Sequence, residues 1–129
     1  MKSVKVQIGG ADYHLMFNGE AMFRLQDMYG DKPIFDILSP NSKEAFEELC
    51  RVLAVLAEQG ELIRRQLGYD KSRMLTEEQA KTLITPVEIL ALKLAVFKAV
   101  ALGYGREIED TEGVVDLVLA ELEKKARPA

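Results

Sequence analysis

The chain has 129 residues, of which 48% are hydrophobic and 29% charged, with a formal net charge of −4 and one cysteine. That length and mix suit a single domain, 1–129, with a substantial core, and exclude a disordered segment. The acidic balance argues against nucleic-acid backbone binding as the main task, since that affinity comes from neutralising phosphates, and one cysteine excludes an internal disulfide.

The opening MKSVKVQIGG has no long apolar core after its lysines, so no signal peptide is expected and the cytoplasm is the default address. Val4, Val6 and Ile8 alternate with Lys5 and Gln7. After Gly9-Gly10, Tyr13, Leu15 and Phe17 alternate with His14 and Met16. Two alternating runs around a Gly-Gly turn predict a β-hairpin over 3–17, whose apolar face must rest on helices to be stable. Asn18 caps a helix over about 19–29, stopped by Gly30, with Phe17 and Met22 placed as a hydrophobic staple. Ala21, Met22, Leu25, Met28 and Tyr29 share its inner face. Pro33 and Pro40 bracket a short apolar segment with Ile34, Phe35, Ile37 and Leu38.

Ser42 starts the longest helix, about 43–68. Its stripe of Phe46, Leu49, Cys50, Leu53, Leu56 and Ala57 continues in phase through Gly60 to Ile63 and Leu67. A glycine inside an unbroken stripe points to close approach by another backbone; a break at Gly60 is the alternative. Thr76 and Gln79 form a capping box for a short helix, 77–84. Thr85, Pro86 and Glu88 then open PVEILALKLAVFKAVALG, a helix over 86–102, with Gly103 and Gly105 as left-handed stops. It is apolar nearly all round, so we expect the most buried element of the fold here, with Leu90, Leu94 and Phe97 near full burial. Its lysines, Lys93 and Lys98, argue against a membrane span and should hold their ammonium groups in water. Glu107, Glu109, Asp110 and Glu112 lead into a last helix over 113–125, which carries Val114, Val115, Leu117, Val118 and Leu122 and has basic residues at its end. The fold class is mainly α: an N-terminal β-hairpin packed on a compact bundle of five to six helices, α+β by strict classification.

Few residues offer chemistry. His14 is the sole histidine and stands on the polar side of the hairpin, with no acid at a pairing distance in sequence. Cys50 lies in an apolar stripe and reads as a small core hydrophobe. One His and one Cys cannot build the usual zinc sites, and the acids of 107–112 lack the pattern of a calcium loop. We therefore expect no catalytic residues, no cofactor and no metal, and a protein that acts by binding other proteins.

The order of elements resembles the tail assembly chaperones of long-tailed bacteriophages and prophages, including relatives in gene transfer agents. In that family a hairpin of the form V-x-I-x-GG-x-x-Y-x-L-x-F precedes a helix of the form A-x-x-x-L-x-x-x-x-G. Val4, Val6, Gly9, Gly10, Tyr13, Leu15, Phe17, Ala21, Leu25 and Gly30 fill those places, and the likeness runs over about 2–102. Gln26-Asp27 stands where many members have an acidic pair. The resemblance implies a protein of the host cytoplasm that binds the tape measure protein and the tail tube protein during assembly and is absent from the mature virion. The alternative is a small helical adaptor or regulatory protein of prophage origin, also without catalysis.

Three places offer apolar side chains for a client: Ile34, Phe35, Ile37 and Leu38; Tyr69 with Met74; and Tyr104. The first is our choice, because four apolar residues in so short an element exceed what one face can bury. The competing reading has all four capping the core. The excess of apolar surface also implies a homo-oligomer, formed through the last helix or the free hairpin edge.

Overall fold

A computed structural model describes residues 1–118. The elements in order are β1 (Lys2–Ile8), β2 (Ala11–Leu15), α1 (Gly19–Tyr29), α2 (Ile34–Leu38), α3 (Lys43–Gln66), α4 (Glu77–Leu83), α5 (Ile89–Gly103) and β3 (Val114–Asp116). A 3-10 turn, Pro86–Glu88, leads into α5. The protein is mainly α with an N-terminal antiparallel sheet, the class that the patterning predicts.

The hairpin turns at Gly9-Gly10, and its register sets Val4 opposite Leu15 and Val6 opposite Tyr13. Val4, Ile8, Tyr13 and Leu15 are buried against the helices, as the alternation requires. A third strand, absent from the sequence pattern, joins them. β3 pairs antiparallel with β1, Lys2 opposite Asp116 and Val4 opposite Val114, so the strand order is β2-β1-β3. This corrects the helix predicted over 113–125: its first turn is strand. Gly113 sits at φ 78°, outside the right-handed helical region, and the β-branched pair Val114-Val115 suits an extended edge. That pairing also covers the outer edge of β1, whose backbone groups would otherwise be open. Leu122 and the basic residues 124–127 lie outside the described residues. Of the acids expected in a first helical turn, Asp110 instead lies 3.1 Å from Lys98, whose ammonium also donates to the Glu112 carbonyl at 2.9 Å.

The fold is built on α3. It packs against β2, α4, α1, α2 and α5, and Leu49, Cys50, Val52, Leu53 and Leu56 are wholly buried. Ser42 caps it, its hydroxyl accepting the Ala45 N–H at 3.1 Å. The helix runs unbroken through Gly60. A Cβ at Gly60 would lie 1.7 Å from the His14 carbonyl oxygen, so only glycine lets the end of β2 rest on the helix backbone here. One turn earlier the Leu56 carbonyl accepts the Met16 N–H at 3.1 Å, which ties the two backbones together.

Three expectations about α5 are corrected. It is not the most buried element: Leu90 is 67% exposed and Leu94 54%, while Phe97 is half-buried. The inner face is instead Leu92, Ala95, Val96 and Ala99, with Lys93 among them. A helix that is apolar on every side carries no pattern that says which side faces in. Here the small residues decide, because Ala95, Ala99 and Gly103 let α5 lie close. A Cβ at Gly103 would come within 2.3 Å of the Phe17 carbonyl oxygen. Gly103 is therefore a contact glycine inside the helix, and Gly105, at φ 76°, makes the left-handed turn. Lys93 does not reach water either; buried, it donates to the Pro40 carbonyl at 3.1 Å.

The local start signals form as the sequence predicts. Asn18 accepts the Ala21 N–H at 2.9 Å and donates to the buried Gln59 amide oxygen at 3.0 Å. Thr76 and Gln79 exchange both bonds of a capping box. At the start of the 3-10 turn the Thr85 N–H and hydroxyl both donate to the Glu88 carboxylate, which holds that carboxyl below its usual range.

Candidate functional site

The four apolar residues of the 33–38 segment part company. Leu38 is wholly buried in the core, Ile34 and Ile37 are half-buried against it, and Phe35 is 61% exposed. One turn of helix has two faces, so a short apolar element both caps the core and presents a side chain outward. Phe35 lies with its ring 5.3 Å from that of Phe97 on α5.

Phe35 forms one wall of an open groove of about 620 Å³ between α1, the 30–33 turn, α2 and the end of α5. Its apolar lining includes Phe17, Met22, Tyr29, Ile34, Val100 and Tyr104, and Asp31, Lys32 and Arg106 add charge. Tyr104 is over half exposed and packs its ring 5.2 Å from that of Phe17. Gly30, at φ 62°, ends α1 and lets the chain turn along the edge of the groove. On the other side of Tyr29, its phenol donates to Glu48; burial and that bond push the Tyr29 pKa well above its usual range. Two of the three places picked from sequence, the 33–38 segment and Tyr104, thus share one groove. Tyr69 and Met74 lie elsewhere. The Tyr69 hydroxyl donates to the Leu117 carbonyl, and Met74 is half-buried.

Beside the groove runs a feature that the sequence reading missed. Val87 in the 3-10 turn and Leu90, Leu94 and Phe97 on the outer side of α5 fall at alternating three- and four-residue steps, and Val87 is 87% exposed. That spacing is a helix-packing seam, visible in the sequence but masked by the equally apolar inner side. Met28 and Phe23 on α1 are also exposed, although the helical spacing puts Met28 in the core stripe.

The residues that could carry chemistry make contacts within the fold. Ser3 is wholly buried; its hydroxyl lies 3.2 Å from His14 Nδ1 and 3.2 Å from the Val115 carbonyl, so the pair links all three strands and offers no accessible nucleophile. Burial lowers the His14 pKa, and the charges of Arg64 and Lys5 lower it further against Asp12 and Glu61. Glu61 is buried in α3. Burial alone would raise its pKa, but the Ser72 N–H at 2.7 Å, Arg65 at 2.7 Å and Arg64 at 2.6 Å outweigh that and hold it low. The buried Cys50 thiol is pushed up to about 11 by burial, which leaves it unreactive at neutral pH. Among the described residues no group of His, Cys, Asp or Glu is placed to hold a metal, and no helix is long and apolar enough to cross a membrane.

Compared with protein-family models, with curated proteins and with solved structures, the chain matches none.

Proposed function

We propose that this protein is a phage or prophage tail assembly chaperone that holds an amphipathic helix of the tape measure protein in the groove beside Phe35. In this reading it also meets the tail tube protein, works in the host cytoplasm and leaves before the virion matures. The observation that carries the proposal is the groove itself: apolar side chains from α1, α2 and α5, with Phe35 and Tyr104 open to solvent, on a domain whose core is already filled. An apolar groove of this kind suits the apolar face of a helix, whose anchors recur every three or four residues. Such grooves shield clients that would otherwise aggregate, and the charges of Asp31, Lys32 and Arg106 suit the polar flanks of the client helix. No covalent step is needed.

The test is co-expression with a tape measure fragment. The wild-type chain should keep the fragment soluble and co-purify with it. A Phe35→Asp, Tyr104→Asp variant should lose both properties while keeping its helical circular dichroism, because both side chains are exposed. Equal protection by a well-folded variant would move the client off the groove. Failure of the wild-type chain to hold tape measure or tube protein would remove the tail-assembly reading and leave the general adaptor role.

A further inference from the structure

We infer that the outer side of α5 is a homodimer interface, in which two copies pair their α5 helices antiparallel about a two-fold axis at the level of Leu92. The observation is the seam of Val87, Leu90, Leu94 and Phe97, joined at its edge by Phe35. Together these side chains leave roughly 500 Å² of apolar surface open, at the upper end of what a monomer tolerates. That matches the apolar share, roughly 65%, of the roughly 800 Å² that each partner buries in a standard homodimer interface.

The order of side chains along the seam favours a second copy as the occupant. With the axis at Leu92, Leu90 of one copy meets Leu94 of the other, and the small Val87 meets the large Phe97. Large opposite small fills space without a void, so the seam is complementary to itself when antiparallel. Ala91, exposed beside the axis, adds no bulk that would hold the helices apart. Charge points the same way. The chain is acidic overall, yet the seam side chains Val87, Leu90, Leu94 and Phe97 are all uncharged; the Glu88 carboxylate keeps its charge but is turned to Thr85, Lys93 is buried beneath, and Lys98 is held by Asp110. Two like-charged copies can therefore meet here without facing their own ions, and antiparallel helices set opposite dipole ends together. Phe35 borders both the seam and the groove, whereas Leu90 and Leu94 do not line the groove, so variants of those two leucines test the dimer apart from the client reading.

Sedimentation equilibrium on the full chain tests the proposal. The average mass should rise from 14.4 kDa toward double that value as concentration increases. Leu90→Asp with Leu94→Asp should hold it at the monomer value, as should the uncharged Leu90→Gln, Leu94→Gln pair, which guards against unfolding by buried charge. The Ala91→Cys variant should oxidise to a covalent dimer, since the two copies of that position flank the axis. A wild-type chain that stays monomeric at every concentration overturns the proposal, including the case where ending the chain at Val118 turns it dimeric, because residues 119–129 would then be the occupant. A dimer that survives the Leu90 and Leu94 variants also overturns it, as does an Ala91→Cys chain that dimerises without cross-linking.

Discussion

α3 and α5 are the two longest helices described, both rich in leucine, alanine and valine, and they are used in opposite ways. α3 has a sharply divided circumference: an apolar stripe enclosed by five other elements and a charged side in water. α5 is apolar on both sides, yet only one side is enclosed, while the other holds Leu90 and Leu94 in solvent, in line with Val87 of the turn before it. Apolarity on all sides is thus a poor guide to burial when a chain of this size has one core to share. In α3 the polar residues specify the orientation. In α5 the small residues specify it, by allowing contact with Phe17 at Gly103.

The comparison can be broken most severely at Gly60. Gly60→Ala puts a methyl group onto the His14 carbonyl and should cost about 4 kcal/mol or more, read as lost folding or a large fall in denaturation midpoint. A near-normal midpoint would mean that α3 and β2 do not touch here. Next comes a matched pair of leucines. Leu53→Ala in α3 should cost about 3 kcal/mol by opening a cavity, whereas Leu94→Ala in α5, measured on the dilute monomer, should change stability by no more than about 0.5 kcal/mol. Equal effects in urea titration would erase the distinction between the helices. Lys93→Ala leaves the Pro40 carbonyl without its charged donor and should cost about 2 kcal/mol. A cost near zero would return the Lys93 ammonium to solvent.

The smallest expected effect is a pH dependence confined to the α3 side. His14 faces Lys5, Asp12, Glu61 and Arg64, and its folded pKa lies below its ordinary 6.5. The unfolded chain therefore takes up a proton first. Stability is full above about 6.5 and falls as pH drops from there toward the folded value. Glu61, also lowered, contributes in a separate window, with its share lost only as pH falls below about 4.5. Thermal midpoints across pH 8 to 5 should show the first decline in the wild type and a flatter profile in His14→Asn. An unchanged profile in that variant would assign the decline to another group.

What the sequence made legible follows the range of each interaction. The Gly-Gly hairpin, the Asn18 and Ser42 caps and the Thr76–Gln79 box each rest on contacts within a few residues, and each formed. Gly60 was legible for a related reason: a stripe that stays in phase across a glycine needs some outside contact to explain it. The strand Val114–Asp116 was not legible, because its partner is Lys2–Val4 at the other end of the sequence and its own residues suit a helix start almost as well. Within the candidate groove, the segment holding Phe35 could be named from its excess of apolar residues. Which of its residues faced outward could not, since one turn of helix carries no repeat from which to read a phase.

The pairing of β3 with β1 has a consequence for the order in which the protein is made. β1 and β2 leave the ribosome well before β3, so the sheet stays two-stranded until Val114–Asp116 has emerged. For that interval the edge from Lys2 to Val4 is open to any other extended chain, including another nascent copy. A product cut short before Val114 would keep this open edge for its lifetime. The few residues of β3 therefore decide whether the middle strand has both its neighbours or an open edge.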